Sequence, residues 1–199
     1  MPFLIEKKID YGIIYIVKRK KLFMLILIGP SASGKTEIAK ILIKKYNFKK
    51  LVTYTTRKIR VNEIDGIDYH FVSKEKFLSM ENKNEFVETT FYNDNYYGAR
   101  IKDVDDSRVV ILDPNGANNF YNCFKDNLYI VFLETSKELR KKRMLDREDE
   151  VSQINKRLET DDEIFKKEKV LKINKVIVNE EKSLEGLAYE IYSSYINRK

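Results

Sequence analysis

The stretch Gly29-Pro30-Ser31-Ala32-Ser33-Gly34-Lys35-Thr36 has the residue types and spacing to hold a phosphate. It fits G-x-x-x-x-G-K-[ST], a pattern whose glycines let successive backbone N–H groups turn inward around an anion. Lys35 adds a point charge at the β- and γ-phosphates of a nucleotide, and the Thr36 hydroxyl is the expected Mg²⁺ ligand. More chemistry gathers between Arg57 and Gly98. Arg57 and Arg60 stand three apart in an irregular segment, where two guanidinium forks can converge on phosphate oxygens. Around them lie Glu63, Asp65, Asp68, Tyr69, Tyr96 and Tyr97, and the tyrosine hydroxyls add neutral donors. Glu88 offers a carboxylate that accepts two hydrogen bonds side by side, which matches the N1–H and exocyclic amino edge of guanine.

Two further sets carry alternatives. Asp113 ends an apolar stretch, and in nucleotide-binding domains of this kind such an acid helps to hold the magnesium shell. Asp113-Pro114-Asn115-Gly116 is equally a run of turn formers that needs no function. Arg140, Arg143, Arg147 and Arg157 fall in a charged helical region from Ser136 to Phe165, interrupted at Glu148-Asp149-Glu150. It reads either as a solvated helix hairpin or as a mobile lid that brings arginines over phosphates and excludes water. The lone His70, in Tyr69-His70-Phe71-Val72, reads as an ordinary strand residue, because no partners for metal binding or catalysis accompany it.

These groups need elements to position them. Leu22–Ile28 is wholly apolar and predicts a buried parallel strand. Ile38, Ala39, Ile41, Leu42 and Tyr46 recur at helical spacing directly after the glycine loop, completing the strand, loop, helix order that the pattern requires. Further strands are expected at Leu51–Thr56, Arg108–Asp113, Leu128–Leu133 and Val176–Asn179, with a short helix near Lys74–Met80. Ser136 is the expected N-cap of the charged region. Leu184, Leu187, Ala188, Ile191, Tyr192 and Tyr195 give a last helix its apolar face. Tyr11–Val17 has strand composition and is followed by the basic cluster Lys18–Lys21; it reads as an extra edge strand or a loose arm. The charges follow the apolar run, so no secretory signal is expected. Met24 opens the loop strand itself, and an alternative start there is a hypothesis of this reading.

With 199 residues and 43% hydrophobic content, one sizeable domain is expected. A formal charge of +7, from 38 Lys+Arg against 31 Asp+Glu, suits a protein that handles anions. Basic and aromatic residues do not form a recognisable nucleic-acid motif, so nucleotides are the expected partners and nucleic acid is not. The single Cys123 excludes an internal disulfide and points to a reducing compartment, hence a cytoplasmic expectation. No run approaches the roughly 18 apolar residues of a membrane span.

The stretch Thr55-Thr56-Arg57-Lys58-Ile59-Arg60-Val61-Asn62-Glu63-Ile64-Asp65-Gly66-Ile67-Asp68-Tyr69-His70-Phe71-Val72-Ser73 resembles guanylate kinase, whose pattern T-T-R-x-x-R-x-G-E-x-x-G-x-D-Y-x-F-V-S is matched at almost every fixed position. The resemblance continues through Glu85–Glu88, Asn95–Gly98, the strand ending at Asp113, the arginine-bearing region and Val176–Asn179, and so covers the chain from about Leu22 onward. It implies that Arg57, Arg60, Tyr69 and Tyr97 bind the phosphate of GMP, that Glu88 reads the guanine edge, and that Thr53, Asp113 and Asn115 adjoin the same pocket. Ser31, Ala32, Ser33, Gly34, Lys35 and Thr36 would cradle ATP, with Asn179 near the adenine. Arg143 and Arg147 would reach the ATP phosphates and Arg157 would bridge donor and acceptor. Lys35, Arg57, Arg143, Arg147 and Arg157 are thus the expected catalytic set, and Thr36 and Asp113 the expected Mg²⁺ ligands. The implied reaction is ATP + GMP giving ADP + GDP by in-line transfer.

Three departures qualify the match. Ala99 stands where the family has Ser or Thr donating to guanine O6; a lost hydrogen bond of that sort costs about 1 kcal/mol or more. A backbone N–H or water could substitute, so weaker guanine selectivity is expected rather than a different substrate. Leu112-Asp113-Pro114-Asn115-Gly116-Ala117 is shorter than the family's L-[DE]-x-D-x-x-G-A and offers Asn115 for a second acid. Asn62 replaces a Gly. The competing readings are a non-catalytic guanylate-kinase-like interaction module and a kinase for another phosphorylated acceptor, with dGMP, AMP or a sugar phosphate as candidates.

The fold class expected is α/β: a three-layer P-loop domain with a mostly parallel central sheet, an inserted α+β segment that binds the monophosphate, and a helical lid. The expected division is an arm at 1–21, a core at 22–51, 107–135 and 159–199, a monophosphate segment at 52–106 and a lid at 136–158, in a monomer or homodimer.

Overall fold

The computed structural model describes residues 4–9, 12–17, 24–61, 63–92, 94–105, 107–180 and 182–197. Near the N-terminus, β1 (Leu4–Ile9) and β2 (Gly12–Val17) pair antiparallel, with Leu4 opposite Val17 and Ile9 opposite Gly12. The expected strand is therefore half of a hairpin that forms its own two-stranded sheet. The basic cluster Lys18–Lys21 and the Asn62 turn position lie outside the described residues.

Next come β3 (Met24–Ile28), α1 (Lys35–Tyr46), the short β4 (Lys49–Lys50) and β5 (Tyr54–Thr55), β6 (His70–Phe71), α2 (Lys74–Asn82), β7 (Phe86–Tyr92) and β8 (Asn95–Arg100). The chain continues with β9 (Arg108–Ile111), α3 (Pro114–Phe124), β10 (Leu128–Glu134), α4 (Lys137–Leu145), α5 (Val151–Ile164), β11 (Lys175–Val178) and α6 (Leu184–Ile196). The central sheet runs β11-β10-β3-β9-β4, and all its neighbouring pairs are parallel. Parallel neighbours need crossover connections, and the helices supply them.

Strand alternation turns β3 into the seam between two cores. Leu25 and Leu27 face one side, where they pack with Ile38 and Leu42 of α1 and Leu187 and Ile191 of α6. Met24, Ile26 and Ile28 face the other, with Ala117 and Phe120 of α3. All five β3 residues are fully buried. Burying an aliphatic side chain of this size is worth about 1.5–3 kcal/mol, so the strand that delivers the glycine loop is firmly anchored. Helices on both faces of one parallel sheet make the expected three-layer α/β domain.

A second sheet, β6-β5-β8-β7, is mixed: β5 and β6 run parallel while β8 is antiparallel to both β5 and β7. Phe77 and Met80 of α2 pack against it beside Tyr54. The stretch Leu51–Thr56, expected as one strand, is divided between the two sheets. The Leu51 amide donates to Val109 O and keeps residues 49–51 on the central sheet, whereas the Thr53 carbonyl accepts from the His70 amide and commits Tyr54 and Thr55 to the second. The charged region forms two helices with Ser136 as N-cap of the first, its Oγ accepting from the Leu139 amide. They are not solvated all round, because Met144, Ile154 and Leu158 form a buried seam against Ala32 of the glycine loop.

Candidate active site

The glycine loop leaves the end of β3 and enters α1 through Gly34, whose φ of +93° is left-handed and whose missing Cβ would lie 2.4 Å from Asn179 Nδ2. That contact is specific. Asn179 is buried, its amide donates to Ser33 O at 2.9 Å, and its Oδ1 accepts from Arg143 Nη2 at 3.1 Å. Arg143 Nη1 also donates to Ala32 O at 3.1 Å. Asn179, expected near the adenine, therefore braces the loop and ties it to α4. The Lys35 ammonium is folded under the loop, donating to Gly29 O at 2.6 Å and Pro30 O at 2.7 Å. Burial pushes its pKa down to about 8, Asp161 opposing the shift and Arg140 adding to it.

Asp161 of α5 is the residue that the sequence reading missed. Its Oδ2 accepts the Ser31 amide at 2.6 Å, so a carboxylate of the chain itself sits on a donor of the phosphate loop. Only 5% of Asp161 and 3% of Arg140 is exposed. Arg140 Nη1 lies 3.6 Å from Asp161, and its Nη2 donates to Asp162 Oδ1 at 2.6 Å. A phosphate that takes the Ser31 amide must compete with Asp161. Sequence could not flag this, since Thr160-Asp161-Asp162-Glu163 looks like any solvated helix face.

On the same side a cavity of about 320 Å³ runs from Ser31 and Asp161 at one end to Thr53, Tyr69, Glu88, Thr90, Tyr97 and Asp113. Glu88 is 6% exposed, and burial, then the nearby Asp113 charge, push its pKa up to about 7. Tyr69 and Tyr97 meet edge to face, with ring centroids 6.0 Å apart. The Arg57 guanidinium lies 5.5 Å from the Tyr69 ring centre and donates to Glu63 Oε1 at 2.7 Å. Glu63 takes the Arg60 amide with its other oxygen, at 2.8 Å, while Arg60 itself is exposed. The expected convergence is thus only half drawn: Arg57 stands beside the cavity tyrosines and Arg60 lies at the surface.

Other expected residues are distributed differently from the reading. Asp113 is the N-cap of α3, with Oδ1 accepting from the Gly116 amide at 2.7 Å, and this turns it toward Glu88. Thr36 lines a separate cavity with Arg143, Arg147 and Asn179. Thr36 and Asp113, the expected Mg²⁺ ligands, thus line different cavities. Asn115 is exposed at the second position of α3, and Gly116 rather than Asn115 lines the cavity. Arg147 and Arg157 both donate to Asp149 Oδ2, at 3.1 and 3.2 Å, which gathers two cations of the charged region on one carboxylate. Among the described residues no cluster of three or more His, Cys, Asp or Glu could cage a metal.

A phosphate loop, a base-sized cavity with a buried carboxylate, and arginines from a helix pair form the combination that the sequence resemblance implied. The family model for guanylate kinase matches residues 21–192. The chain belongs to the guanylate kinase family. It is 38% identical over 146 residues to the guanylate kinase of Clostridioides difficile (strain 630), covering 69% of this chain and 71% of that one. To the guanylate kinase of Wolinella succinogenes it is 36% identical over 151 residues, covering 71% and 70%. Among solved structures, the guanylate kinase from Anaplasma phagocytophilum matches with a TM-score of 0.64 at 27% identity, over 88% of this chain and 85% of that one. A gluconokinase from Sinorhizobium meliloti, at 16% identity and TM-score 0.53, shares the fold alone.

The raised pKa of Glu88 has a stability consequence. An acid held above its ordinary 4.5 in the folded chain weakens the fold once it ionises, so stability is lost as pH rises from about 4.5 through about 7. At about 1.4 kcal/mol per pH unit the loss reaches at most about 3 kcal/mol. Thermal melts of the protein alone should fall between about pH 5 and about pH 8. Glu88→Gln should remove most of that fall; an unchanged pH dependence in the variant would contradict the assignment.

Proposed function

We propose that this chain transfers the γ-phosphoryl group of ATP to GMP, and to dGMP, giving ADP and the nucleoside diphosphate. The observation that carries this reading is the single cavity that joins Glu88 to Ser31 of the phosphate loop. A base held at one end then puts its 5′-phosphate at the other, against the loop that holds the donor.

In this reading Ser31, Ala32, Ser33, Gly34, Lys35 and Thr36 bind the ATP phosphates, and Asn179 keeps the loop in shape. Glu88 and Asp113 face the base beside Thr53. Tyr69, Tyr97 and Arg57 hold the monophosphate, and Arg60 joins them from the surface when the segment 52–106 closes on it. Arg143, Arg147 and Arg157 belong to a lid at 136–158, in which Arg147 and Arg157 exchange Asp149, and Arg143 exchanges Ala32 O and Asn179, for phosphate oxygens. Catalysis is then positioning plus neutralisation of the charge on the transferring group, with water excluded by closure.

Mg²⁺ bound with ATP belongs to the same proposal. The Thr36 hydroxyl, beside Lys35 in its cavity, would hold the ion, whose small size favours phosphate oxygens and water for the rest of its shell. Bound there, it would draw off charge from the β- and γ-phosphates. We further propose a cytoplasmic enzyme, supported by the lone Cys123, working as a monomer or homodimer.

A coupled assay of ADP release across GMP, dGMP, IMP and AMP, with and without Mg²⁺, tests the assignment. GMP should turn over fastest and Mg²⁺ removal should abolish the signal; preference for AMP would overturn the reading of Glu88. Lys35→Ala and Arg57→Ala should each lose about 100-fold or more in kcat/KM, with circular dichroism unchanged, because each removes a cation that faces phosphate. Asp161→Asn should lower the KM for ATP by up to about tenfold, since a competing charge-assisted bond is worth about 1.5 kcal/mol or more. An unchanged or higher KM would show that Asp161 does not oppose the phosphate.

A further inference from the structure

Guanine presents along one edge an amino group, the N1–H and O6, in the order donor, donor, acceptor. Glu88 answers the two donors and leaves O6 without a partner, and an unmatched acceptor in a buried site costs about 1–3 kcal/mol. A donor on the flank of the Glu88 carboxylate is what this edge still requires. Residue 99 cannot supply one from its side chain, for Ala99 is fully buried and brings only a methyl group.

The register of β7 against β8 indicates where the donor is. Glu88 stands opposite Ala99, and Thr90 stands opposite Tyr97. Side chains two apart on a strand share a face, so Glu88, Thr90, Tyr97 and Ala99 all belong to the face that meets the cavity. Thr89 between them points away, its hydroxyl donating to Glu81 Oε1 at 2.6 Å. Glu88, Thr90 and Tyr97 line the cavity together. The Thr90 hydroxyl lies 3.3 Å from Glu88 Oε2. That is long for an O–H···O bond, whose usual length is about 2.7–2.8 Å, so little is lost when the hydroxyl rotates to a better acceptor.

Resting on the proposal that this cavity binds GMP, we propose that Thr90 determines specificity for the 6-oxo group of the base. Its hydroxyl turns from Glu88 to donate to O6, and carboxylate and hydroxyl together present acceptor, acceptor, donor to the guanine edge. Adenine brings an amino group to the hydroxyl and an acceptor N1 to the carboxylate, which repels it.

The test compares Thr90→Val, Thr90→Ser and, at the other threonine that lines the cavity, Thr53→Val on GMP, IMP and 6-thio-GMP. IMP keeps O6 and lacks the amino group; 6-thio-GMP keeps both donors and replaces O6 by a weak sulfur acceptor. Thr90→Val should lower kcat/KM about tenfold for GMP and IMP and less than about threefold for 6-thio-GMP, the loss of one hydrogen bond. The KM for ATP should stay at the wild-type value, and Thr90→Ser should restore turnover. Equal loss on all three nucleotides would mean that Thr90 merely holds Glu88 in place and would overturn the proposal, as would a 6-oxo dependence that follows Thr53→Val instead. Failure of the unsubstituted protein to phosphorylate GMP would sink the parent reading itself, and is seen before any variant is compared.

Discussion

Burying charge is the constraint under which this molecule is built. A lone ion in a dry interior is costly enough to neutralise or to unfold the site around it, so each must find a counter-charge or a set of dipoles. Arg140 is enclosed between Asp161 and Asp162, the Lys35 ammonium is tucked under two carbonyls of its own loop, and Arg57 is matched to Glu63. Arg147 and Arg157 share Asp149. Arg143 rests on the Ala32 carbonyl, so every cation assigned to a phosphate, Arg60 aside, is held by an anion or a carbonyl belonging to the chain. A polyphosphate displaces contacts that already exist, and its net gain is a difference between two sets of ion pairs rather than the sum of one.

How much of this was legible in the sequence depends on how local each feature is. The phosphate loop is written in consecutive residues, and the apolar strand before it and helical spacing after it leave little choice of structure. The alternating faces of β3 follow from its length and apolarity. The division of Leu51–Thr56 between two sheets could not be read, because it depends on Val109 and His70, each far away in the chain. Asp161 escaped for the same reason: its partners Ser31 and Arg140 are 130 and 21 residues away, and nothing in a run of acids says which one turns inward.

The base cavity shows the limit from the other direction. Glu88, read as a carboxylate with room for two donors, lines the cavity, yet the residue beside it in space, Thr90, was passed over while Ala99 drew attention. Pattern matching looks for a hydroxyl at a fixed position, whereas the sheet register makes positions 90 and 99 diagonal neighbours on one face. Asn115 lies off the cavity because a helix turns about 100° per residue, and α3 starting at Pro114 puts Gly116 toward Glu88.

The brace between Asn179, Ser33 and Arg143 reaches beyond the shape of the loop. Were α4 to move off the glycine loop, Arg143 would leave Ala32 O and Asn179 Oδ1 together, and both acceptors would lose their donor at once. Solvent would have to take its place. Lifting this helix would therefore be a wetting event, with water entry built into the motion.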